Sequence, residues 1–450
     1  MNFLRERWHN WQQDRLLKTI ILNTGYLFSS NTANMALSMV QSIFAARLLG
    51  VATYGLLGTI TGFTSSVNNL FSFRMGELVV RYFSQYQTEK RLDRAAALIK
   101  AAVLVEGTSS VLAYLLLVLV SPLAAKYLGK DPTTSPLFVI YGVSILGNLI
   151  METSTGVLQV TGQFRSQAVI NLGQSILTAL IIVAAFFVRG GIMVVLVAYL
   201  LGKIILGMGP VVVAWRSLNK VLGAGWWRAS FSLLPARREL ASFALTTNLS
   251  ATINLLVRDS EVVWVAFFLS PVDVGYYKVA LAVINLVSMP ITPFIRTTYP
   301  ELSRSVAQHS WAQVRRLLRR VTILAGVWTG VTAIGLVILG PLFIQFYGKE
   351  YLPAYPALLV LLVGFGIANI LFWNRSLLLS LSLPQYAFKV MAWAGLAKVA
   401  LAFLLVPHYG YVAEAALLSG WFVISIGLIV WRGLSEVRRA ELVPVAEVVG

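Results

Sequence analysis

AALIKAAVLVEGTSSVLAYLLLVLVSP, residues 96–122, is the stretch that decides the fold class. From Ala101 to Pro122 it holds one charged side chain, Glu106. A helix over 96–122 is about 40 Å long at ~1.5 Å per residue, enough to cross the ~30 Å of hydrocarbon in a bilayer. Eleven further runs have this character, near 20–46, 52–73, 136–160, 167–188, 191–214, 240–258, 273–295, 318–346, 353–374, 387–406 and 411–431. The expected fold is therefore an all-α integral membrane protein of about twelve transmembrane helices. Composition agrees: 58% of the residues are hydrophobic and 12% charged, where soluble domains carry about 25% charge. Mean hydropathy is +0.76.

Immediately beyond the opening stretch comes a punctuation mark. Pro122-Leu123-Ala124-Ala125-Lys126-Tyr127-Leu128-Gly129-Lys130-Asp131 resembles Pro341-Leu342-Phe343-Ile344-Gln345-Phe346-Tyr347-Gly348-Lys349-Glu350 in the second half. Both place Pro-Leu, then Gly-Lys-acid, at fixed spacing, and a proline follows each (Pro136, Pro356). Leu49-Gly50-x3-Tyr54-Gly55 parallels Leu269-Ser270-x3-Val274-Gly275, and Gly191 parallels Gly410. The matched positions are Gly, Pro and charges, which apolar helices do not share by composition. Two six-helix bundles are expected, 19–214 and 240–432. An even number of helices per half makes the repeat parallel, with a pseudo-two-fold axis along the membrane normal.

Net charge is +18. In a soluble protein that would suggest nucleic acid. Here 27 of the 36 Lys and Arg sort into the N-terminal tail, the alternate loops and the C-terminal tail, against six in the opposite loops and three within spans. That asymmetry sets both termini in the cytoplasm and leaves no nucleic-acid reading. Residues 1–18 (MNFLRERWHNWQQDRLLK) lack the apolar core and small-residue site of a signal peptide and read as an amphipathic cytoplasmic segment. Residues 215–239 form a basic cytoplasmic linker and 433–450 a cytoplasmic tail. The longest loops span roughly 25 residues, so no external domain is available to house an enzyme. Cysteine is absent and the three histidines are far apart, which removes thiolate chemistry and gives no basis for a resident metal.

Phe44-Ala45-Ala46-Arg47-Leu48-Leu49-Gly50-Val51-Ala52-Thr53-Tyr54-Gly55 resembles the R-x-L-G-x-x-x-Y-G signature of polysaccharide transporters in the multidrug/oligosaccharidyl-lipid/polysaccharide flippase superfamily. Val265-Ala266-Phe267-Phe268-Leu269-Ser270-Pro271-Val272-Asp273-Val274-Gly275-Tyr276-Tyr277-Lys278-Val279-Ala280 is similar to that family's F-L-S-P-x-x-V-G-x-Y pattern. Tyr351-x2-Ala354, Leu358–Leu362 and Pro407-x2-Gly410-x4-Ala415-Ala416 fit in order. The sequence departs at Arg258-Asp259-Ser260-Glu261, where the family often has a lone Asp and the extra acid could pair with Arg258. The resemblance spans about residues 15–435. It implies a MATE-like architecture in the bacterial inner membrane. It also implies a flippase that moves an undecaprenyl-diphosphate-linked oligosaccharide (an O-antigen, capsule or exopolysaccharide repeat) from the inner to the outer leaflet by alternating access. Implied partners are that lipid-linked sugar, membrane lipids, and the glycan polymerase and glycosyltransferases of its pathway.

Sugar and diphosphate find no partners in hydrocarbon, so a flippase needs a wet, cation-lined cleft. The family lines its cleft with helices 1, 2, 7 and 8, on which lie Arg47, Arg74, Arg258, Lys278 and Arg296. Lys278 stands out as an ammonium within a span; Arg47, Arg74 and Arg296 also suit helix ends, where they snorkel to headgroups, and Arg258 also suits a structural ion pair with Asp259 or Glu261. Asn34, Gln41 and Asn254 are candidate sugar ligands, Asn34 and Gln41 sharing a helix face. Glu106, Glu152, Asp259 and Glu261 are candidates for coupling to a proton or sodium gradient, the competing reading being a structural pair such as Glu152 with Lys203. No cofactor is expected. Tyr54, Trp264, Tyr276, Tyr277, Trp373 and Trp421 read as interface anchors. The alternatives are a cation-coupled drug or metabolite antiporter of the same superfamily, and less favourably a membrane-embedded polymerase or glycosyltransferase. The antiporter would need acids in the N-terminal cleft. The enzyme would need an external loop or an acidic catalytic motif.

Overall fold

A computed structural model describes residues 15–72, 75–234, 252, 254–288 and 291–442. Among the described residues the secondary structure is entirely helical. In chain order the helices are α1 (Arg15–Phe71), α2 (Met75–Thr88), α3 (Leu92–Tyr127), α4 (Ser135–Gly147), α5 (Met151–Val160), α6 (Phe164–Phe187) and α7 (Ile192–Leu222). They continue with α8 (Glu261–Phe268), α9 (Pro271–Ser288), α10 (Ile291–Ala307), α11 (Trp311–Gln345), α12 (Ala354–Ile370), α13 (Asn374–Ser380) and α14 (Pro384–Leu442). The expected amphipathic segment 1–18 lies almost wholly outside the described residues, as do Arg74 and most of the expected seventh span.

Eight described stretches are long and apolar enough to cross a membrane: Ser29–Thr88, Leu92–Tyr127, Pro132–Val160, Phe164–Phe187, Ile192–Leu222, Trp311–Gln345, Ala354–Ser380 and Pro384–Glu441. Two of these are 60 and 58 residues long, about three times the hydrocarbon thickness at ~1.5 Å per residue. Each contains a helix that turns at one glycine, Gly50 at φ 71° within α1 and Gly410 at φ 69° within α14. A positive φ there kinks the helix without a loop, and only glycine adopts that region without a Cβ penalty. The separate helices expected over 20–46 and 52–73, and over 387–406 and 411–431, are therefore continuous but for that one residue.

Two expected spans are broken instead. The 136–160 span divides into α4 and α5 around Asn148, whose N–H bonds back to the Ser144 and Ile145 carbonyls. The 353–374 span ends as α12, and α13 follows after Leu371–Trp373. Broken helices inside a membrane persist where the freed backbone groups find partners within the protein.

The helix surfaces are patterned for lipid. On α3, Leu112, Leu115, Leu119 and Leu123 recur at three- and four-residue spacing and are all more than half exposed. The opposite face, with Ser109, Ser110, Ala113, Leu117 and Ser121, is buried. Val327, Val331, Ile334 and Ile338 repeat the pattern on α11. Small and hydroxylated residues inside, with large aliphatics outside, is what helix packing in a bilayer favours, since lipid is as apolar as leucine.

The chain forms two compact units, one of residues 1–48, 64–125 and 132–251, the other of 49–63, 126–131 and 252–450. In the first, Met75, Leu78, Val79 and Phe83 of α2 pack with Leu98, Ile99, Val157, Leu158 and Leu218. In the second, Leu302 and Val306 of α10 pack with Leu318, Phe372, Trp373, Leu377 and Val437. Backbone contact in the second unit is close. A Cβ at Gly55 would lie 1.8 Å from the Pro271 carbonyl oxygen, and one at Gly275 would lie 2.4 Å from that of Val51. The arm of α1 after Gly50 therefore touches α9 main chain to main chain.

Candidate functional site

The first unit encloses a polar cavity of about 100 Å³ beside the break between α4 and α5. Asn68, Asn69, Ser72, Glu106, Asn148 and Glu152 line it. The Glu106 carboxylate is buried and accepts the backbone N–H groups of Glu152 (2.8 Å) and Thr153 (2.9 Å). These are orphan donors at the start of α5, so Glu106, reaching over from α3, is the cap of an interrupted helix. A carboxylate there also meets the positive end of the helix dipole. Glu152 accepts the Ser72 hydroxyl at 3.1 Å. Its contact is with Ser72 and not with the Lys203 considered from sequence.

In the second unit Lys278 rises from α9 across Gly58, where a Cβ would meet its Cδ at 2.7 Å. Its Nζ stands 4.1 Å from the centroid of the Tyr54 ring. Tyr54 is buried and makes an edge contact with Tyr351, centroids 6.1 Å apart, and Tyr351 makes another with Tyr347 at 6.4 Å. Among the described residues no carboxylate forms an ion pair with Lys278. The ring face attracts the ammonium and leaves its charge uncompensated.

A second charged cluster in the same unit brings an ammonium against two carboxylates. The Lys398 ammonium on α14 bonds the Val257 carbonyl at 2.8 Å and the Glu261 carboxylate, and pairs with Glu414 at 2.9 Å. The Tyr277 hydroxyl donates to the other Glu261 oxygen at 2.5 Å. All four side chains are buried.

The other candidates fall as follows. Arg47 is exposed near the end of the first arm of α1. Arg258 and Asp259 are exposed on the π-helical turn Leu255–Asp259, and the Arg258 guanidinium lies 5.8 Å from the centroid of Phe422. The Glu261 partner is Lys398, which corrects the expectation of an Arg258–Glu261 pair. Arg296 lies in α10. Asn254 is half-buried just before the π turn. Asn34 keeps a buried amide oxygen without a hydrogen-bond partner. Gln41 is buried and donates to the Ser175 carbonyl at 2.9 Å, tying α1 to α6.

Tyr54, Tyr277, Trp373 and Trp421 are buried within the protein, which corrects their reading as interface anchors. Trp373 bonds Thr322 and Trp421 bonds the Met391 carbonyl. Glu414 escaped the sequence reading. A carboxylate inside the 411–431 span was the signal.

The fold is one used by membrane transporters. It superposes on an inward-facing multidrug resistance MATE transporter of the MOP superfamily with TM-score 0.74 at 10% identity, covering 91% of this chain and 95% of that one. It superposes on the lipid II flippase MurJ in an inward closed conformation with TM-score 0.71 at 14% identity, covering 92% and 90%. The family follows from sequence: residues 20–306 match the polysaccharide biosynthesis protein family, and the chain belongs to it. Relatives include the inner membrane protein YghQ of Escherichia coli K12, 22% identical over 77% of this chain and 97% of its own. Another is the probable flippase AglR of Haloferax volcanii, 22% identical over 86% and 78%.

Proposed function

We propose that this protein is a flippase of the bacterial inner membrane, and that it moves a polyprenyl-diphosphate-linked oligosaccharide from the inner to the outer leaflet by alternating access. The carrying observation is Lys278, an ammonium within the helical bundle with an aromatic ring beneath it and, among the described residues, no carboxylate paired to it. An uncompensated cation among membrane helices is expensive, and a diphosphate supplies the missing anion. The polyprenyl tail stays in lipid while hydroxyls and amides meet the sugar. An O-antigen, capsule or exopolysaccharide repeat would each suit this chemistry. The family's description, and the flippase names of AglR and MurJ, support the reading.

The finer architecture belongs to the same proposal. Two six-helix bundles, 19–214 and 240–432, are copies related by a parallel repeat, with both termini cytoplasmic. Charge sorting supports the orientation. Element order supports the repeat: α3 and α11 each carry a proline near their ends (Pro122, Pro341), a 3₁₀ turn follows, and a broken helix comes next.

The test is complementation in cells lacking their own flippase. Wild-type protein should restore surface glycan, Lys278→Met should abolish rescue at unchanged membrane level, and Lys278→Arg should keep part of it. Full rescue by Lys278→Met would refute the diphosphate role. A second reading, a cation-coupled antiporter, draws on the two carboxylates lining the first unit's cavity and on the MATE likeness. Drug resistance conferred on a sensitive host, without glycan rescue, would favour it.

A further inference from the structure

Glu261, Lys398 and Glu414 are sealed from solvent, with side chains 3%, 2% and 0% exposed. Their inventory is unbalanced. Lys398 has three N–H donors, and three acceptors surround it: the Val257 carbonyl, Glu261 and Glu414. Glu261 has both oxygens engaged, one by Lys398 and one by Tyr277. Glu414 does not. Although its Oε1 stands 2.9 Å from Nζ, neither of its oxygens receives a hydrogen bond of acceptable geometry. The charged groups facing one another here are Glu261 on α8, Lys398 and Glu414 on α14, and the Tyr277 phenol on α9.

With both carboxylates and the ammonium ionised and the Tyr277 phenol neutral, the cluster carries one net negative charge. A buried charge without compensation costs several kcal/mol. The chain has invested in this geometry. A Cβ at Gly395, one turn before Lys398, would lie 2.4 Å from Val257 Cγ2. Only a glycine lets α14 approach the π turn closely enough for Lys398 to reach the Val257 carbonyl.

We propose that this cluster holds one exchangeable proton, carried by Glu414 or shared with Glu261, and that it is the coupling site of the protein. A proton is the cation that fits. A metal ion would need several oxygen ligands, and the ammonium of Lys398 already stands against both carboxylates, hydrogen-bonded to Glu261 and ion-paired with Glu414. Lys398 therefore acts as a built-in counter-cation that excludes sodium and leaves a single position for H⁺. The site joins α8, α9 and α14. Gain or loss of the proton changes its net charge between zero and minus one and so alters how tightly these helices hold together. That consequence for transport rests on the flippase reading; the proton's presence does not.

The test uses purified full-length protein in lipid nanodiscs, with infrared difference spectroscopy between acidic and alkaline buffers. The expected result is one protonated-carboxyl C=O band in wild type, identical in sodium and potassium. Glu414→Gln should remove it and Tyr277→Phe should shift it. A missing band, a band that survives both Glu414→Gln and Glu261→Gln, or a band displaced by sodium would each overturn the proposal. In complemented cells, Glu414→Gln should lose the acceleration that the proton gradient gives to wild type. Persistent gradient dependence in that variant would overturn the coupling role. A wild-type band without glycan rescue refutes the flippase reading and leaves the proton site standing. Rescue without a band does the reverse.

Discussion

Replacing Glu106 by Gln tests whether this residue is a helix cap or a transport carboxylate. The carboxylate accepts two backbone N–H groups, at 2.8 and 2.9 Å, from the first turn of α5. Glutamine offers one carbonyl oxygen in their place and turns an NH₂ donor toward the other N–H. One hydrogen bond to a charged group is lost, about 1.5–3 kcal/mol, and one buried donor is left facing a donor. The surviving bond is no longer charge-assisted, which roughly halves it, and the helix-end charge interaction, about 0.3–1 kcal/mol, disappears. The sum is about 3–5 kcal/mol, a large share of the ~5–15 kcal/mol that holds a typical protein folded. Chemical denaturation of purified protein in mixed micelles measures it, and hydrogen exchange at the Glu152 and Thr153 amides localises it. The expected outcome is a lowered unfolding midpoint with accelerated exchange at those two amides. Transport per folded molecule should keep its wild-type dependence on the ion gradient. An unchanged midpoint together with altered gradient dependence would refute the cap and return Glu106 to ion coupling.

Three further outcomes follow from the packing. Lys398→Met leaves Glu261 and Glu414 unpaired and should destabilise by about 3–5 kcal/mol; adding Glu414→Gln should recover part of that, and strictly additive costs in a double-mutant cycle would contradict the shared cluster. Gly55→Val places a Cβ 1.8 Å from the Pro271 carbonyl oxygen, so membrane-inserted, monodisperse protein should fall sharply on size-exclusion chromatography, whereas Gly326→Ala on α11, with nothing near its Cβ, should be tolerated. Gln41→Leu removes the donor to the Ser175 carbonyl and should cost about 1–3 kcal/mol in the same denaturation assay, with glycan rescue by the remaining folded protein intact; loss of rescue at full stability would make Gln41 a substrate ligand.

The spans were legible because hydropathy and length are local properties. Residues 96–122 announce a membrane helix without reference to anything else, and the α3 boundaries, Leu92–Tyr127, extend that run at each end. The breaks were not legible. Residues 136–160 read as one apolar run, and Asn148 interrupts it in the structure because Glu106, some forty positions earlier, is there to cap the restart. Gly50 was visible as a motif residue. That the helix turns at this one residue depends on backbone dihedral angles, which composition does not report.

The candidate site divides in the same way. Lys278 could be singled out from sequence, since an ammonium within an apolar run is costly wherever the fold places it. Its aromatic seat on Tyr54, from a different helix, could not. Glu261 was noticed for its neighbours in sequence, Arg258 and Asp259, yet its partners are Tyr277, Lys398 and Glu414, at separations of 16 and 137 residues for the two hydrogen bonds. The sequence alone determined that the chain is an all-helical membrane protein and which charges must be accounted for. Only the tertiary structure decided which charge faces which. In a bilayer the hydrophobic effect drives each helix in separately and does not pair helices with one another. That pairing is made by close contacts such as Gly55 with Pro271 and Gly395 with Val257, between residues that lie far apart in the chain.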